Sequence, residues 1–356
     1  MLEFILGLLF GVICYAAHVY FTYELLVWTI ITQAILLVLF VAIYRRLVGG
    51  RLDVKDKAVL ITGCDTGIGH GLAKHLDGLG FTVFAGCYNA NGQDAQSLRK
   101  GASGRLHIVQ LDVRSDEDVQ KAVDYVKQNA SGLWAVVNNA GVEEPGEVEL
   151  CKMEWYYKIA EVNYFGIIRI TKAFLPFIRK SKGRVLVVTS VKERMYLPAN
   201  SAYVITKHAM GAFCDILRLE MSQWGVKVCA IEPGHFGECT KIVTANHYKA
   251  SHDAIWESLS PELKLAYGKE YVHHPVNSTS PLGIVDLSAT KLNKLLHNMT
   301  DALLEISPKE RYLVSGYWFD IYVITVYLRM VLPTSLLDKI IMLIWQSNFP
   351  KPDALK

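Results

Sequence analysis

The chain has 356 residues, 51% of them hydrophobic and only 20% charged, with a net charge of +3. That is enough apolar material for one large domain. No Lys/Arg block of the kind a phosphate backbone needs is present, so a nucleic-acid partner is excluded as an expectation. The seven cysteines form no CxxC pair or ligand cluster, and their scattered spacing reads as reduced thiols, with no metal site.

Residues 4–20 (FILGLLFGVICYAAHVY) and 25–44 (LLVWTIITQAILLVLFVAIY) contain no Asp, Glu, Lys or Arg. Each run approaches the length that crosses a hydrocarbon core of roughly 30 Å. With Glu24 between them, residues 1–46 read as an anchor of two hydrophobic segments, a transmembrane hairpin in a lipid bilayer. Arg45, Arg46 and Arg51 follow, and the positive-inside tendency then places the rest of the chain in the cytosol. No basic residue precedes the first run, which argues against a cleaved signal peptide.

Lys57–Thr62 (KAVLIT) reads as a buried parallel strand, because it is apolar and β-branched. It enters Gly63-Cys64-Asp65-Thr66-Gly67-Ile68-Gly69, then a segment with helical spacing at Leu72, Leu76 and Leu79, then a second strand at Phe81–Cys87. Glycines at 63, 67 and 69 allow a tight turn and a close approach to a pyrophosphate, which the following helix N-terminus attracts. Leu106–Leu111 reads as the third strand and leads to Asp112-Val113. Trp134–Val137 reads as the fourth and runs into Asn138-Asn139-Ala140-Gly141.

Arg184–Thr189 is a further buried strand ending at Ser190. Tyr203 and Lys207 stand four residues apart, which puts them on one helix face. An ammonium near a phenol favours the phenolate, so the pair suits proton transfer. The strand Val226–Ile231 ends at Glu232-Pro233-Gly234, with His235 a candidate substrate contact. Pro261, Pro275 and Pro281, among many polar residues, mark about 238–300 as a substrate lid of short helices and loops. Tyr312–Trp345 is apolar and aromatic but broken by Asp320, Arg329, Pro333, Asp338 and Lys339. It could lie on a membrane surface, cap the substrate domain or form a dimer interface.

Thr62-Gly63-x-x-x-Gly67-x-Gly69, Asn138-Asn139-Ala140-Gly141 and Ser190 with Tyr203-x-x-x-Lys207 together resemble the short-chain dehydrogenase/reductase family over about residues 53–320. The resemblance implies a doubly wound, Rossmann-type α/β fold with a parallel sheet of order 3-2-1-4-5-6-7. It implies a catalytic set of Asn163, Ser190, Tyr203 and Lys207. It also implies cofactor contacts at Gly63, Asp65, Gly67, Ile68, Gly69, Asp112, Val113, Asn139, Ala140, Gly141, Pro233 and Gly234, besides Tyr203 and Lys207.

The second strand ends Gly86-Cys87-Tyr88-Asn89, with neither the acid that marks NAD nor the Arg that marks NADP. Asp65 and the lack of a cation there favour NAD over NADP. Within the family the chain is similar to the group acting on hydroxysteroids, retinol and 3-hydroxybutyrate. A lipophilic secondary alcohol, a hydroxysteroid first, is the expected substrate; retinol and 3-hydroxybutyrate are the alternatives. Lys192 and Arg194 could hold a small carboxylate. A cofactor-binding scaffold without activity is the rival of another class. The expected location is the endoplasmic reticulum membrane with a cytosolic catalytic domain, the mitochondrial membrane being the alternative. Whether the chain forms a homodimer is left open.

Overall fold

The computed structural model describes residues 2–47, 49–234, 236–240, 242, 244–277, 289–316 and 320–356. The chain divides into two compact units: Met1–Arg51 with Glu305–Ser307, and Leu52–Leu304 with Pro308–Lys356.

The first unit is one helix, α1 (Leu2–Leu47), where the sequence reading has a hairpin of two segments. The reason is local. A reversal needs Gly or Pro, and the link Phe21-Thr22-Tyr23-Glu24 has neither, so the helical hydrogen bonds run straight through it. Glu24 is accommodated because the Tyr20 hydroxyl one turn earlier donates to its carboxylate at 2.7 Å. The stretch Gly11–Val41 is long and apolar enough to cross a membrane once.

The second unit is built in chain order from β1 (Ala58–Thr62), α2 (Gly67–Leu79), β2 (Thr82–Cys87), the one-turn α3 (Gln93–Gln96), β3 (Leu106–Gln110), α4 (Asp116–Asn129), β4 (Ala135–Asn138), α5 (Met153–Ala160), α6 (Gly166–Ser181), β5 (Arg184–Val188), α7 (Ser201–Ser222) and β6 (Lys227–Pro233). There follow α8 (Gly237–Thr240), α9 (Ala245–Ser258), α10 (Pro261–Tyr267), α11 (Lys269–Asn277), α12 (Ala289–Leu304), β7 (Arg311–Val314), α13 (Ile321–Val331) and α14 (Thr334–Asn348). The seven strands are all parallel in the order β3-β2-β1-β4-β5-β6-β7, as the resemblance implies.

Alternation along each strand feeds two cores. Val59 and Ile61 of β1 face α2 and α12, meeting Leu72, Leu76, Leu295 and Met299. Ala58 and Leu60 face the other way, toward Val119 and Val123 of α4 and Ile170 and Phe174 of α6. Burial on both faces explains why the strands read as unbroken apolar runs. Helix ends follow local chemistry. Gly80 closes α2 in the left-handed region at φ 101°, its N–H bonded to Asp77 and Leu76. Ser115 caps α4 by accepting from the Asp118 N–H, with Asp116 and Glu117 in the first turn.

The expected lid shrinks. Leu295, Leu296 and Met299 of α12 are buried in the sheet's core, so this helix covers the sheet rather than the substrate. Between Phe236 and Asn277 the chain forms the short helices α8–α11, as the prolines and polar residues suggest. The apolar C-terminal stretch becomes β7, α13 and α14, divided at Pro333. Val326 of α13 packs on Val191 and Met195, and the Tyr196 hydroxyl donates to Asp338 of α14 at 2.7 Å. His235, Pro281 and residues 278–279 lie outside the described residues.

Candidate active site

β1 and β4 are neighbours, while β2 leaves from the far side of β1. A crevice therefore opens above their C-terminal ends, the place where such sheets hold ligands. A cavity of about 630 Å³ lies there. Its lining includes Gly63, Asp65, Ile68, Asp112, Val113, Asn139, Ala140, Gly141, Ser190, Tyr203, Lys207, Pro233 and Gly234, eleven of which lie far apart in sequence from Tyr203 and Lys207. Gly67, Gly69 and Asn163 are not part of the lining.

At the β1 end, Gly63 and Gly67 take φ values of 70° and 67°, which favour glycine. A Cβ on Gly63 would stand 2.8 Å from the Ala140 Cα, and one on Gly67 would stand 2.5 Å from the Thr240 carbonyl. The turn is thus glycine-built because neighbouring backbones press on it. The first turn of α2 holds no acidic residue, and Thr66 makes no side-chain cap. Its leading N–H groups are left to attract an anion.

The Asp65 carboxylate accepts the backbone N–H of Tyr88 and of Asn89, each at 2.9 Å, and so pins the end of β2 to the glycine turn. Asn139 lines the cavity and also braces the glycine turn. Its side chain donates to the Thr62 and Gly63 carbonyls at 2.9 and 3.1 Å. The Thr62 hydroxyl in turn accepts from the N–H groups of Asn139 and Ala140 at 3.0 Å.

Sequence reasoning missed the cation that lines the cavity beside Tyr88. Arg114 grips the Asp112 carboxylate, with Nη2 at 2.7 Å from Oδ2, and lies 5.5 Å over the Tyr88 ring. Its bond holds the Asp112 carboxyl below its usual range. The only available signal was its position two residues after that aspartate.

α7 carries a buried line at Tyr203, Lys207, Met210, Cys214, Leu217 and Met221, spaced as one helix face. The lower part packs into the core and the upper two residues reach the cavity. Lys207 Nζ donates to the Val188 carbonyl at 3.1 Å and stands 5.2 Å from the Tyr203 ring centre. Ser190, just past the end of β5, lines the cavity with Tyr203, and its hydroxyl accepts from the Lys192 N–H at 3.1 Å. Asn163 lies on a π-helical turn, Glu161–Phe165, between α5 and α6. Such widened turns recur at functional sites. Its side chain accepts from the Val142 N–H at 2.8 Å and donates to the Val142 carbonyl at 2.9 Å and to Thr206 at 3.2 Å. A Cβ on Gly141 would fall 3.5 Å from Asn163 Oδ1 and 4.0 Å from Lys207 Nζ, so only a glycine's width separates the two.

Burial dominates the charges here. It pushes the Tyr203 phenol well up, helped by the nearby Glu143 carboxylate and opposed by Ser190. It also pushes the Lys207 ammonium down to about 8, against the pull of Glu143 and Glu193. Both buried groups thus favour their neutral forms more than they do in water.

On the substrate side, two residues named as carboxylate holders are already paired. Lys192 Nζ lies 3.0 Å from Glu143 Oε1, and Arg194 Nη2 lies 2.6 Å from Glu232 Oε1. Arg194 does not line the cavity. Glu143, Tyr248 and Tyr322 do, and sequence reading named none of them. Two consecutive glutamates directly after a buried strand and its Asn-Gly turn were the available clue.

The cavity's size, its glycine floor and the free α2 N-terminus fit a dinucleotide. The family model for short chain dehydrogenase matches residues 57–249. Rat D-beta-hydroxybutyrate dehydrogenase, mitochondrial, is 40% identical over 292 residues, 80% of this chain and 83% of that one. Mouse estradiol 17-beta-dehydrogenase 2 is 41% identical over 308 residues, 85% and 77%. Human retinol dehydrogenase 16 is 39% identical over 302 residues, 83% and 90%. Among solved structures, the 3-ketoacyl-(acyl-carrier-protein) reductase from Brucella melitensis, complexed with NADH, shares the fold with a TM-score of 0.56 at 21% identity, covering 74% of this chain and 98% of that one.

Proposed function

The chain belongs to the short-chain dehydrogenase family and is an oxidoreductase of the alcohol dehydrogenase/reductase kind; from that premise we propose that it interconverts a neutral, lipophilic secondary alcohol and its ketone with NAD(H). The observation that carries the reading is the convergence of Ser190, Tyr203 and Lys207 on one cavity with the glycine turn. A hydroxysteroid is the favoured substrate.

The cofactor, when bound, supplies the hydride-exchanging ring and, in its oxidised form, a positive charge beside the phenol. Ser190 is placed to hold the substrate oxygen by a hydrogen bond. Tyr203 takes the proton from that oxygen in oxidation and returns it in reduction. Lys207 supports the phenolate by its charge, held in place by the Val188 carbonyl. Asn163 fixes Val142 and thereby the wall beside Lys207.

NAD is preferred over NADP in this reading because Asp65 and Asp112 bring negative charge to the adenosine end, and Arg114 is committed to Asp112. A neutral substrate is preferred over 3-hydroxybutyrate because Lys192 and Arg194 already have carboxylate partners. Retinol stays the alternative alcohol. The apolar helix Gly11–Val41 supports a membrane anchor, and the endoplasmic reticulum is the membrane we assign.

The test is purified full-length protein with NAD or NADP against 17β-hydroxysteroids, retinol and 3-hydroxybutyrate. Steroid oxidation with NAD is expected. NADH binding with no turnover of any alcohol would instead favour the inactive scaffold.

A further inference from the structure

We propose that Glu143 and Lys192 form a charge-cancelling pair that sets substrate specificity, admitting uncharged alcohols and turning away those that carry a carboxylate. The proposal rests on the neutral-alcohol reading and names the residues that enforce it.

Glu143 follows the Gly141-Val142 turn after β4 and is largely buried, its side chain 15% exposed. Its Oε1 accepts from Lys192 Nζ at 3.0 Å and from Asn200 Nδ2 at 2.5 Å. Lys192 also donates to Asn200 Oδ1 at 3.1 Å, which closes a three-membered polar ring. Asn200 sits at the N-cap position of α7 yet makes no cap bond, its side chain being committed to this ring.

The ring stands beside the reacting centre of the cavity, where a charge close to the substrate's hydroxyl would meet it. Lys192 is two residues past Ser190, and its Nζ lies 5.0 Å over the Tyr203 ring. Both Glu143 and Lys192 line the cavity. A lysine alone in such a place would attract a carboxylate. Here the protein supplies that carboxylate itself. An anionic substrate must either displace Glu143 or bring a second negative charge against it in a half-enclosed space, where charges are poorly screened. A hydroxyl or ketone oxygen pays no such penalty.

Two mirror-image variants test this. Glu143→Gln keeps the shape and leaves Lys192 uncompensated; Lys192→Gln leaves Glu143 uncompensated. Three secondary alcohols of one scaffold are compared, carrying a neutral ester, a carboxylate or a trimethylammonium group within a few bonds of the hydroxyl. The readout is kcat/KM, or the inhibition constant against the best neutral substrate where a compound is not turned over. Glu143→Gln should raise the carboxylate-to-ester ratio roughly 10-fold to 100-fold, and Lys192→Gln should raise the ammonium-to-ester ratio similarly.

A ratio is insensitive to a general loss of active protein, so a merely structural pair would leave both ratios flat and overturn the proposal. Loss of NADH binding in both variants would likewise overturn it, as the pair would then be scaffolding. Wild-type protein that prefers the carboxylate fails the neutral-alcohol reading itself. Wild-type preference for the ester with flat ratios in the variants fails the pair alone.

Discussion

Lys207→Met should make the cofactor-free protein more stable while removing its activity. In the folded chain burial lowers this ammonium from an ordinary 10.5 to about 8. That difference corresponds to ~3 kcal/mol of destabilisation whenever both states are protonated. Methionine removes the charge but leaves the Val188 carbonyl without its donor, which costs ~1–2 kcal/mol. A net gain of ~1–2 kcal/mol remains, which for a domain of this size raises the melting temperature by about 2–3 °C. The sign with pH is fixed. Below about 8 the lysine is charged in both states and its full penalty stands. Between about 8 and 10.5 the unfolded chain holds the proton that the folded chain has lost, so wild-type stability climbs with pH. Above 10.5 the penalty is gone. Thermal melts of both proteins in detergent at pH 7 and pH 10, without nucleotide, are the assay. The variant's advantage should be present at pH 7 and gone or slightly reversed at pH 10, where under ~1 kcal/mol of the penalty remains against the lost Val188 bond. A variant that melts below wild type at pH 7, or an advantage that does not shrink with pH, refutes the reasoning.

Tyr203→Phe should cut turnover by ~10²–10⁴-fold, and NADH affinity measured by fluorescence titration should hold, because the phenol's work is proton transfer; full activity in this variant sinks the assigned chemistry. Asp112→Asn removes a negative charge from the adenosine end and loosens Arg114, so the ratio of kcat/KM for NADP to that for NAD should rise by about tenfold; an unchanged ratio moves the cofactor choice elsewhere. Asn163→Ala orphans both the N–H and the carbonyl of Val142, and denaturant melts should show a loss of ~2–4 kcal/mol together with a fall in kcat; wild-type stability would remove Asn163 from its role as brace.

The fold was legible because the strands are buried on both faces. Lys57–Thr62 and Arg184–Thr189 had no polar break, and β1 and β5 lie within a residue of them. Tyr203 and Lys207 were legible for a related reason: a single helix period aligns them with Met210 and Cys214 below. Only the hairpin form of the N-terminal apolar segment differs, where a charge was taken for a turn. Glu24 is a tolerable cost in a helix with Tyr20 one turn away, while a reversal would have required backbone that residues 21–24 do not offer.

What the sequence hid is pairing across distance. Lys192 and Arg194 looked like free cations, yet their partners Glu143 and Glu232 lie 49 and 38 residues away. Arg114 likewise reaches the Tyr88 end of the cavity from the loop after β3 rather than from β2, where a cofactor-selecting residue was sought. Periodicity reports which side of an element is buried; it carries no record of which charges meet once the loops close. An apolar core tolerates any neighbour of suitable shape, so pattern suffices to place it. A buried charge tolerates only its counter-charge, and removing either partner leaves the other exposed to the full cost of desolvation. The charged pairs that line this cleft, such as Glu143 with Lys192, are of the second kind. Catalytic class was therefore readable from four residues in one chain order, while the pairing of Glu143 with Lys192 became visible only in the folded chain.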